Sequence, residues 1–159
     1  MARVAILTAS DRAAAGERVD RSGDAIETRC LAAGHVVAAR LVVPDSRDAI
    51  SEALIAWADQ GLAEVVITTG GTGLTPRDVT PEATRDVAER DVPGIPLALA
   101  ISGLRKTPNA ALSRGIAVTR RNTLIVNLPG SPAAVEEGLD VLLPLLPHIS
   151  DLLAGPVEH

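Results

Sequence analysis

Short apolar runs alternate with stretches of helical periodicity along the first half of the chain. Runs rich in β-branched residues predict three strands, at residues 3–9, 36–43 and 64–69. Between the first two, a helix is predicted to start at Ser22 as its N-cap and to end at Gly34. Between the second and third, apolar residues at i, i+3, i+4 and i+7 from Ile50 predict another helix. Strands that alternate with helices in this way favour a parallel sheet.

The second half of the chain adds helices and a hairpin pattern. One helix is predicted near residues 81–90, capped by Thr80, and the next near residues 95–104. Residues 115–127 hold two apolar runs joined by a polar turn, which predicts a β-hairpin and therefore one antiparallel strand. Ser131 is predicted to cap a last helix, which Pro144 must kink or split.

Length and composition favour a single domain. The 159 residues suit one domain, 1–159, with one core, and no repeat or linker divides them. Hydrophobic residues make up 47% of the chain, but Phe and Tyr are absent, so the core must consist mainly of Ala, Val, Leu and Ile. We expect an α/β fold: a three-layer sandwich with a mostly parallel central sheet, one antiparallel strand and helices on both faces.

Charge and patterning exclude several classes of function. A net charge of −5 and a single aromatic residue, Trp57, argue against a nucleic-acid-binding module. No stretch reaches the ~18 apolar residues of a membrane span, and Met1 leads into a strand without a signal-peptide pattern. We therefore expect a cytoplasmic protein without membrane contact. Cys30 is the only cysteine, which excludes an intrachain disulfide, and is predicted to be a buried structural thiol.

A glycine-rich loop follows the third predicted strand. Gly70, Gly71 and Gly73, with Thr72 between them, lie where ligands bind in open α/β sheets. Glycines there let backbone N–H groups approach phosphate oxygens without a Cβ in the way. The loop has neither the Gly-Lys-Ser/Thr ending of a P-loop nor the third glycine of a dinucleotide fingerprint. It predicts a phosphate site of unspecified kind, and a tight turn without a ligand is the alternative.

Two aspartates are expected at the same edge of the sheet. Asp78 lies five residues after Gly73, and a carboxylate beside bound phosphates is best explained as a ligand of Mg²⁺. Asp45 follows the second predicted strand, so it could share that metal. The alternative for Asp45 is a cap on the helix that starts at Ser46.

A second backbone-rich loop precedes the last helix. Pro129, Gly130 and Ser131 lie at the helix start, where N–H groups and the helix dipole favour anions. A plain turn with Ser131 as the cap is the alternative, and the two roles of Ser131 are compatible.

Several separate motifs, in order, resemble one known family. They are the segment from Gly70 to Thr84, Ser10-Asp11, and residues 20–23, 43–45, 112–114 and 127–131. Together they resemble the molybdopterin adenylyltransferases, which are the Mog and MoaB family of bacteria and the G domain of gephyrin. The match runs over nearly the whole chain.

The resemblance implies a homotrimer that transfers AMP from ATP to the terminal phosphate of molybdopterin, with release of pyrophosphate. It implies that Asp45 and Asp78 are catalytic and hold Mg²⁺–ATP. It places Ser10, Asp11, Ser22, Ser113 and Arg114 on the pterin side and the two loops, Gly70 to Gly73 and Pro129 to Ser131, at the nucleotide and its phosphates. On sequence alone Ser10-Asp11 could be a turn and Arg114 a surface residue.

Two alternatives come from other classes. One is a non-catalytic, trimeric pterin-binding protein of the MoaB type, and the other is a stand-alone relative of the molybdate-insertion domain. The second usually carries extra domains that 159 residues cannot hold. Because the chain keeps the run from Arg77 to Thr80 together with Asp45, the active enzyme is favoured. Its product would pass to a molybdate-insertion protein.

Overall fold

A six-stranded sheet forms the centre of the fold in the computed structural model, which describes residues 1–155. The strands are β1 (Arg3–Ala9), β2 (Val36–Val43), β3 (Val65–Thr69), β4 (Arg90–Asp91), β5 (Ala117–Arg120) and β6 (Thr123–Leu128). Their order across the sheet is β2-β1-β3-β6-β5-β4. The first four in that order are parallel, β5 is antiparallel to β6, and β4 is antiparallel to β5. The predicted parallel sheet and hairpin are confirmed.

Seven α-helices accompany the described strands, five between strands and two after β6. They are α1 (Asp11–Ala14), α2 (Arg21–Ala32), α3 (Arg47–Asp59), α4 (Thr80–Val87), α5 (Gly94–Leu104), α6 (Pro132–Leu142) and α7 (Leu146–Leu153). A 3₁₀ turn over Pro108–Leu112 follows α5, and another over Leu143–Leu145 separates α6 from α7. Pro144 therefore splits the last helix, as predicted, because proline removes a backbone donor.

Alternate residues of the strands pack on opposite faces of the sheet. Ile6, Ile67 and Val126 face a cluster with α2, α5, α6 and α7. Their neighbours Leu7, Val66 and Ile125 face a second cluster with α3 and α4. The predicted three-layer sandwich is confirmed, with a core of aliphatic residues. Cys30 is fully buried in the first cluster, and this burial raises the pKa of its thiol to about 11.

Two predicted helix starts are wrong, by two residues for α2 and by one residue for α4. Asp20, not Ser22, caps α2: its Oδ1 accepts a hydrogen bond of 2.9 Å from the Gly23 N–H. Both residue types cap well, so the sequence did not separate them. Thr80 is the first residue of α4 rather than its cap, and Val79 at the cap position makes no side-chain hydrogen bond. The Thr80 N–H donates instead to a carbonyl of the glycine loop.

Helix α4 ends at Val87, three residues before the predicted end. The chain then turns to pair with β5: the Glu89 N–H donates to the Thr119 oxygen, and β4 follows. A two-residue strand with a polar sequence has no apolar pattern, so the sequence did not predict β4. Among residues 1–155, no helix is long and apolar enough to cross a bilayer.

Gly70 and Gly61 provide a matched test of what the end of β3 requires. Both have positive φ, 91° and 64°, but a Cβ on Gly70 would collide with the Ala9 carbonyl oxygen, whereas one on Gly61 would meet nothing within 4 Å. We expect Gly61→Ala to lower the free energy of unfolding by about 1 kcal/mol, the strain of the left-handed conformation. Gly70→Ala should lower it by a further ~1–3 kcal/mol, because β1 and β3 must move apart. Urea denaturation measures both, and equal losses would contradict the close approach.

Candidate functional site

Two cavities open at the edge of the sheet where the parallel strands end. The first, of about 540 Å³, extends along α5 and is mostly apolar; we call it the apolar cavity. The second, of about 350 Å³, is bordered by the residues that follow β1 and β2 and by the start of α2; we call it the polar cavity. The two share one wall, formed by Gly71, Asp78, Gly130 and Ser131. Both predicted loops and a predicted catalytic aspartate therefore meet at one place.

Asp45 is held by Asp11 in a reciprocal pair. The Asp45 N–H donates to Asp11 Oδ1 at 2.9 Å, and the Asp11 N–H donates to Asp45 Oδ2 at 3.0 Å. Arg77 binds both carboxylate oxygens of Asp11, at 2.8 and 3.0 Å. Helix α3 is capped by Ser46, whose Oγ accepts from the Ala49 N–H, so the capping alternative for Asp45 is excluded.

The pKa values of the two carboxylates in this pair are shifted in opposite directions. The hydrogen bonds from Arg77, with the Asp45 N–H, lower the pKa of Asp11. Burial raises the pKa of Asp45, and the negative charges of Asp11 and Asp78 add to that effect. Asp45 is therefore a partly desolvated carboxylate among like charges, which is the environment that a bound cation would relieve.

Asp78 is fixed by its own loop and lines both cavities. Its Oδ2 accepts from the Thr75 N–H and from Thr75 Oγ1, each at 2.9 Å. A Cβ on Gly73 would lie 2.8 Å from the same oxygen, so glycine leaves room for the carboxylate. Asp45 and Asp78 both border the polar cavity. Within the described part of the chain no three His, Cys, Asp or Glu residues are grouped as metal ligands, so a cation there would need oxygens from elsewhere.

Hydroxyl groups hold the carbonyls of the second loop. Thr69 Oγ1 donates to the Pro129 oxygen at 2.7 Å, and Ser22 Oγ donates to the Gly130 oxygen at 2.6 Å. In a trans peptide the N–H points away from the C=O, and the described chain has no cis bonds. The N–H groups of Gly130 and Ser131 therefore face away from these donors, and no group among residues 1–155 accepts from them. Ser131 also caps α6, as predicted.

The predicted pterin residues are not brought together as one group. Ser10 and Ser22 border the polar cavity, whereas Ser113 borders the apolar one. Ser10 caps the short helix α1, which replaces the turn considered from the sequence. Arg114 borders neither cavity and pairs with Glu82, and Asp11 pairs with Arg77.

Sequence reasoning gave no role to Glu82, Thr69 or the Arg77 side chain. Arg77 and Glu82 lie within the glycine-loop segment, but their partners are 66 and 32 residues away, so only the fold shows the pairing. Thr69 looked like an ordinary strand residue.

Comparisons with known proteins agree on one family. A family described as a probable molybdopterin binding domain matches residues 5–148. The molybdopterin adenylyltransferase of Helicobacter pylori J99 is 38% identical, over 96% of this chain and 88% of that enzyme. The molybdenum cofactor synthesis protein cinnamon of Drosophila melanogaster is 44% identical over 74% of this chain, which spans 20% of that protein. The crystal structure of the molybdopterin biosynthesis enzyme MoaB from Thermus thermophilus superposes with a TM-score of 0.91, at 49% identity and 98% coverage of both chains.

Asp45→Asn and Asp11→Asn should change stability in opposite directions. Because the pKa of Asp45 is raised in the folded state, the contribution of this residue to the free energy of unfolding falls as pH rises above about 4. At pH 7 the charge of Asp45 is therefore unfavourable to the folded state. Asp45→Asn should therefore raise Tm at pH 7. Asp11 has a lowered pKa, so its stabilisation is present at pH 7 and lost as pH falls through its folded pKa; Asp11→Asn should lower Tm at pH 7. Thermal denaturation at pH 7 tests both, and a lower Tm for Asp45→Asn would contradict this electrostatic account.

Proposed function

The chain belongs to the molybdopterin-binding domain family, and we propose that it is a molybdopterin adenylyltransferase of molybdenum cofactor biosynthesis. It transfers AMP from ATP to the terminal phosphate of molybdopterin and releases pyrophosphate. The observation that carries this function is the shared wall of the two cavities, where both backbone loops and Asp78 meet. Two substrates need two compartments that join where the new bond forms. The H. pylori enzyme, related over most of both chains, carries this activity in its name.

The chain supplies positioning and neutral hydrogen-bond donors. Phosphoryl and nucleotidyl transfer require mainly orientation and compensation of charge from the protein. The N–H groups of Gly130 and Ser131 have no acceptor within residues 1–155 and lie at the shared wall, where phosphates of both substrates would meet. The Asp11–Arg77 pair keeps Asp45 at the edge of the polar cavity.

Asp45 and Asp78 are suited to hold Mg²⁺ that arrives with the nucleotide. Protein sites for Mg²⁺ commonly use one or two carboxylates and complete the coordination with waters and substrate phosphates. These two carboxylates border one polar cavity, and burial, together with the negative charges of Asp11 and Asp78, raises the pKa of Asp45. When bound, the metal would polarise the α-phosphate and offset the charge of the departing pyrophosphate.

A homotrimer, expected from the resemblance, has support in an uncovered apolar helix. Helix α5 carries no charged residue, yet Ile95 is its only buried position. Leu97, Ile101 and Leu104 are 62%, 49% and 49% exposed, and Leu112 beside them is 53% exposed. A contiguous apolar surface of this kind is typical of an interface between subunits. We further propose a single domain over 1–159, a cytoplasmic location, and transfer of the product to a molybdate-insertion protein.

The enzyme should release pyrophosphate from ATP only with both molybdopterin and a divalent metal, and EDTA should abolish turnover. Asp45→Asn and Asp78→Asn should each lower kcat roughly a hundredfold or more, since several kcal/mol of charge compensation are lost. Affinity for molybdopterin should change little. Asp48→Asn, three residues after Asp45 and exposed, is the control and should retain wild-type turnover. Metal-independent turnover would contradict the mechanism, and molybdopterin binding without any pyrophosphate release would favour the binding protein.

Light scattering coupled to gel filtration should give about three times the chain mass of 16.4 kDa. Leu97→Glu with Ile101→Glu should shift the protein towards the monomer, because two carboxylates would be buried in the interface. Leu31→Glu, on α2 and 54% exposed, should leave the mass unchanged. A wild-type monomer at micromolar concentration would contradict the trimer, and a trimer that survives both changes would place the interface elsewhere.

A further inference from the structure

Arg114 makes four contacts with the glycine loop and with the residues that follow it. Its N–H donates to the Thr72 oxygen at 2.9 Å and its Nε to the Gly73 oxygen at 2.8 Å. Its Nη2 donates to the backbone carbonyl oxygen of Asp78 at 2.8 Å, and its Nη1 pairs with the carboxylate of Glu82 on α4. One residue outside this segment therefore holds the glycine loop, the backbone of Asp78 and helix α4 together.

These contacts determine which way the loop amides face. The carbonyls of Gly71, Thr72 and Gly73 accept in turn from the Thr80 N–H and from two groups of Arg114. Because trans peptides place N–H opposite the preceding C=O, the Thr72 amide faces away from the Thr80 N–H and the Gly73 amide faces away from the Arg114 N–H. Neither amide has an acceptor within residues 1–155, and both residues line the apolar cavity. Thr80 and Arg114 together thus leave two adjacent donors free for an anion.

Charge and location argue against direct contact between Arg114 and substrate. Arg114 and Glu82 stabilise each other's charged forms: the pKa of Glu82 is lowered and that of Arg114 is raised. Neither residue lines either cavity. The positive charge of Arg114 is therefore compensated by a carboxylate of the same chain before any substrate binds.

We propose that Arg114 and Glu82 are positioning residues that orient the glycine loop and the Asp78 backbone for the adenylyl transfer, and that Arg114 is not a ligand of the pterin. The proposal rests on the proposed function for its kinetic consequences, while its structural consequence can be measured without any substrate. It differs from the expectation drawn from the resemblance, which placed Arg114 on the pterin side.

The conservative variants Arg114→Lys and Glu82→Gln test the proposal best, with Arg85→Ala on α4 as the control. Lysine keeps the charge but cannot reproduce the forked contacts of a guanidinium, and glutamine keeps the shape of Glu82 but removes its charge. We expect each to lower kcat about tenfold or more, with the dissociation constant for molybdopterin changed less than about threefold. Arg85→Ala should behave as the wild type. Circular dichroism confirms that each variant is folded.

A substrate-free measurement separates failure of this proposal from failure of the proposed function. The N–H groups of Thr75, Asp78 and Thr80 make hydrogen bonds within the loop, so their hydrogen exchange reports its order. Exchange there should accelerate in Glu82→Gln and Arg114→Lys and not in Arg85→Ala, whether or not the wild type is active. Unchanged exchange in both variants would overturn the proposal. So would a loss of molybdopterin affinity in Arg114→Ala while Glu82→Gln retains full kcat, because that pattern identifies Arg114 as a ligand.

Discussion

The parallel register of four strands is the constraint on which the site depends. Thr8 of β1 pairs with Val42 of β2 and with Thr69 of β3, and Thr69 pairs with Leu128 of β6. The residues that follow these strands must therefore lie in a row along one edge. Because both faces of the sheet are buried, a shift of one residue in any strand would exchange the side chains of the two core clusters. Core packing thus fixes the position of every loop that borders the cavities.

Polar side chains then fix the orientation of those loops. Thr69 and Ser22 hold carbonyls of the second loop, and Arg114 holds carbonyls of the glycine loop. Asn127 extends this network, since its Nδ2 donates to Thr68 Oγ1 and also to the hydroxyl of α4 residue Thr84. In each loop carbonyls are held by the protein, and the amides of Thr72 and Gly73 in one loop and of Gly130 and Ser131 in the other are left for a ligand. Donors fixed in place before binding need no reorganisation during a reaction, which is why such loops are effective in catalysis.

The features that the sequence predicted are those determined by local pattern. The bounds of β1 and β2 followed from their apolar runs, and Ser131 and Pro144 shaped the last helix as their chemistry requires. The features it missed depend on partners distant in the chain. Strand β4 forms because it pairs with β5. The role of Glu82 depends on its ion pair with Arg114, 32 residues later in the chain. The expected grouping of Ser22 and Ser113 was not found for the same reason, since residue type does not show which cavity a side chain will border.

Three arginines near the site are paired with carboxylates, so this acidic chain must handle anionic substrates by other means. Arg77 is bound to Asp11, Arg114 to Glu82 and Arg40 to Asp20, so three cations near the site are already compensated by carboxylates. Arg18 and Arg21 border the polar cavity, but so do Asp45 and Asp78, which carry the opposite charge. On the proposed function, phosphates must then be stabilised mainly by amide dipoles and by the cation that accompanies the nucleotide. Without that cation, Asp45 and Asp78 would repel the nucleotide phosphates, so charge compensation links nucleotide binding to metal binding.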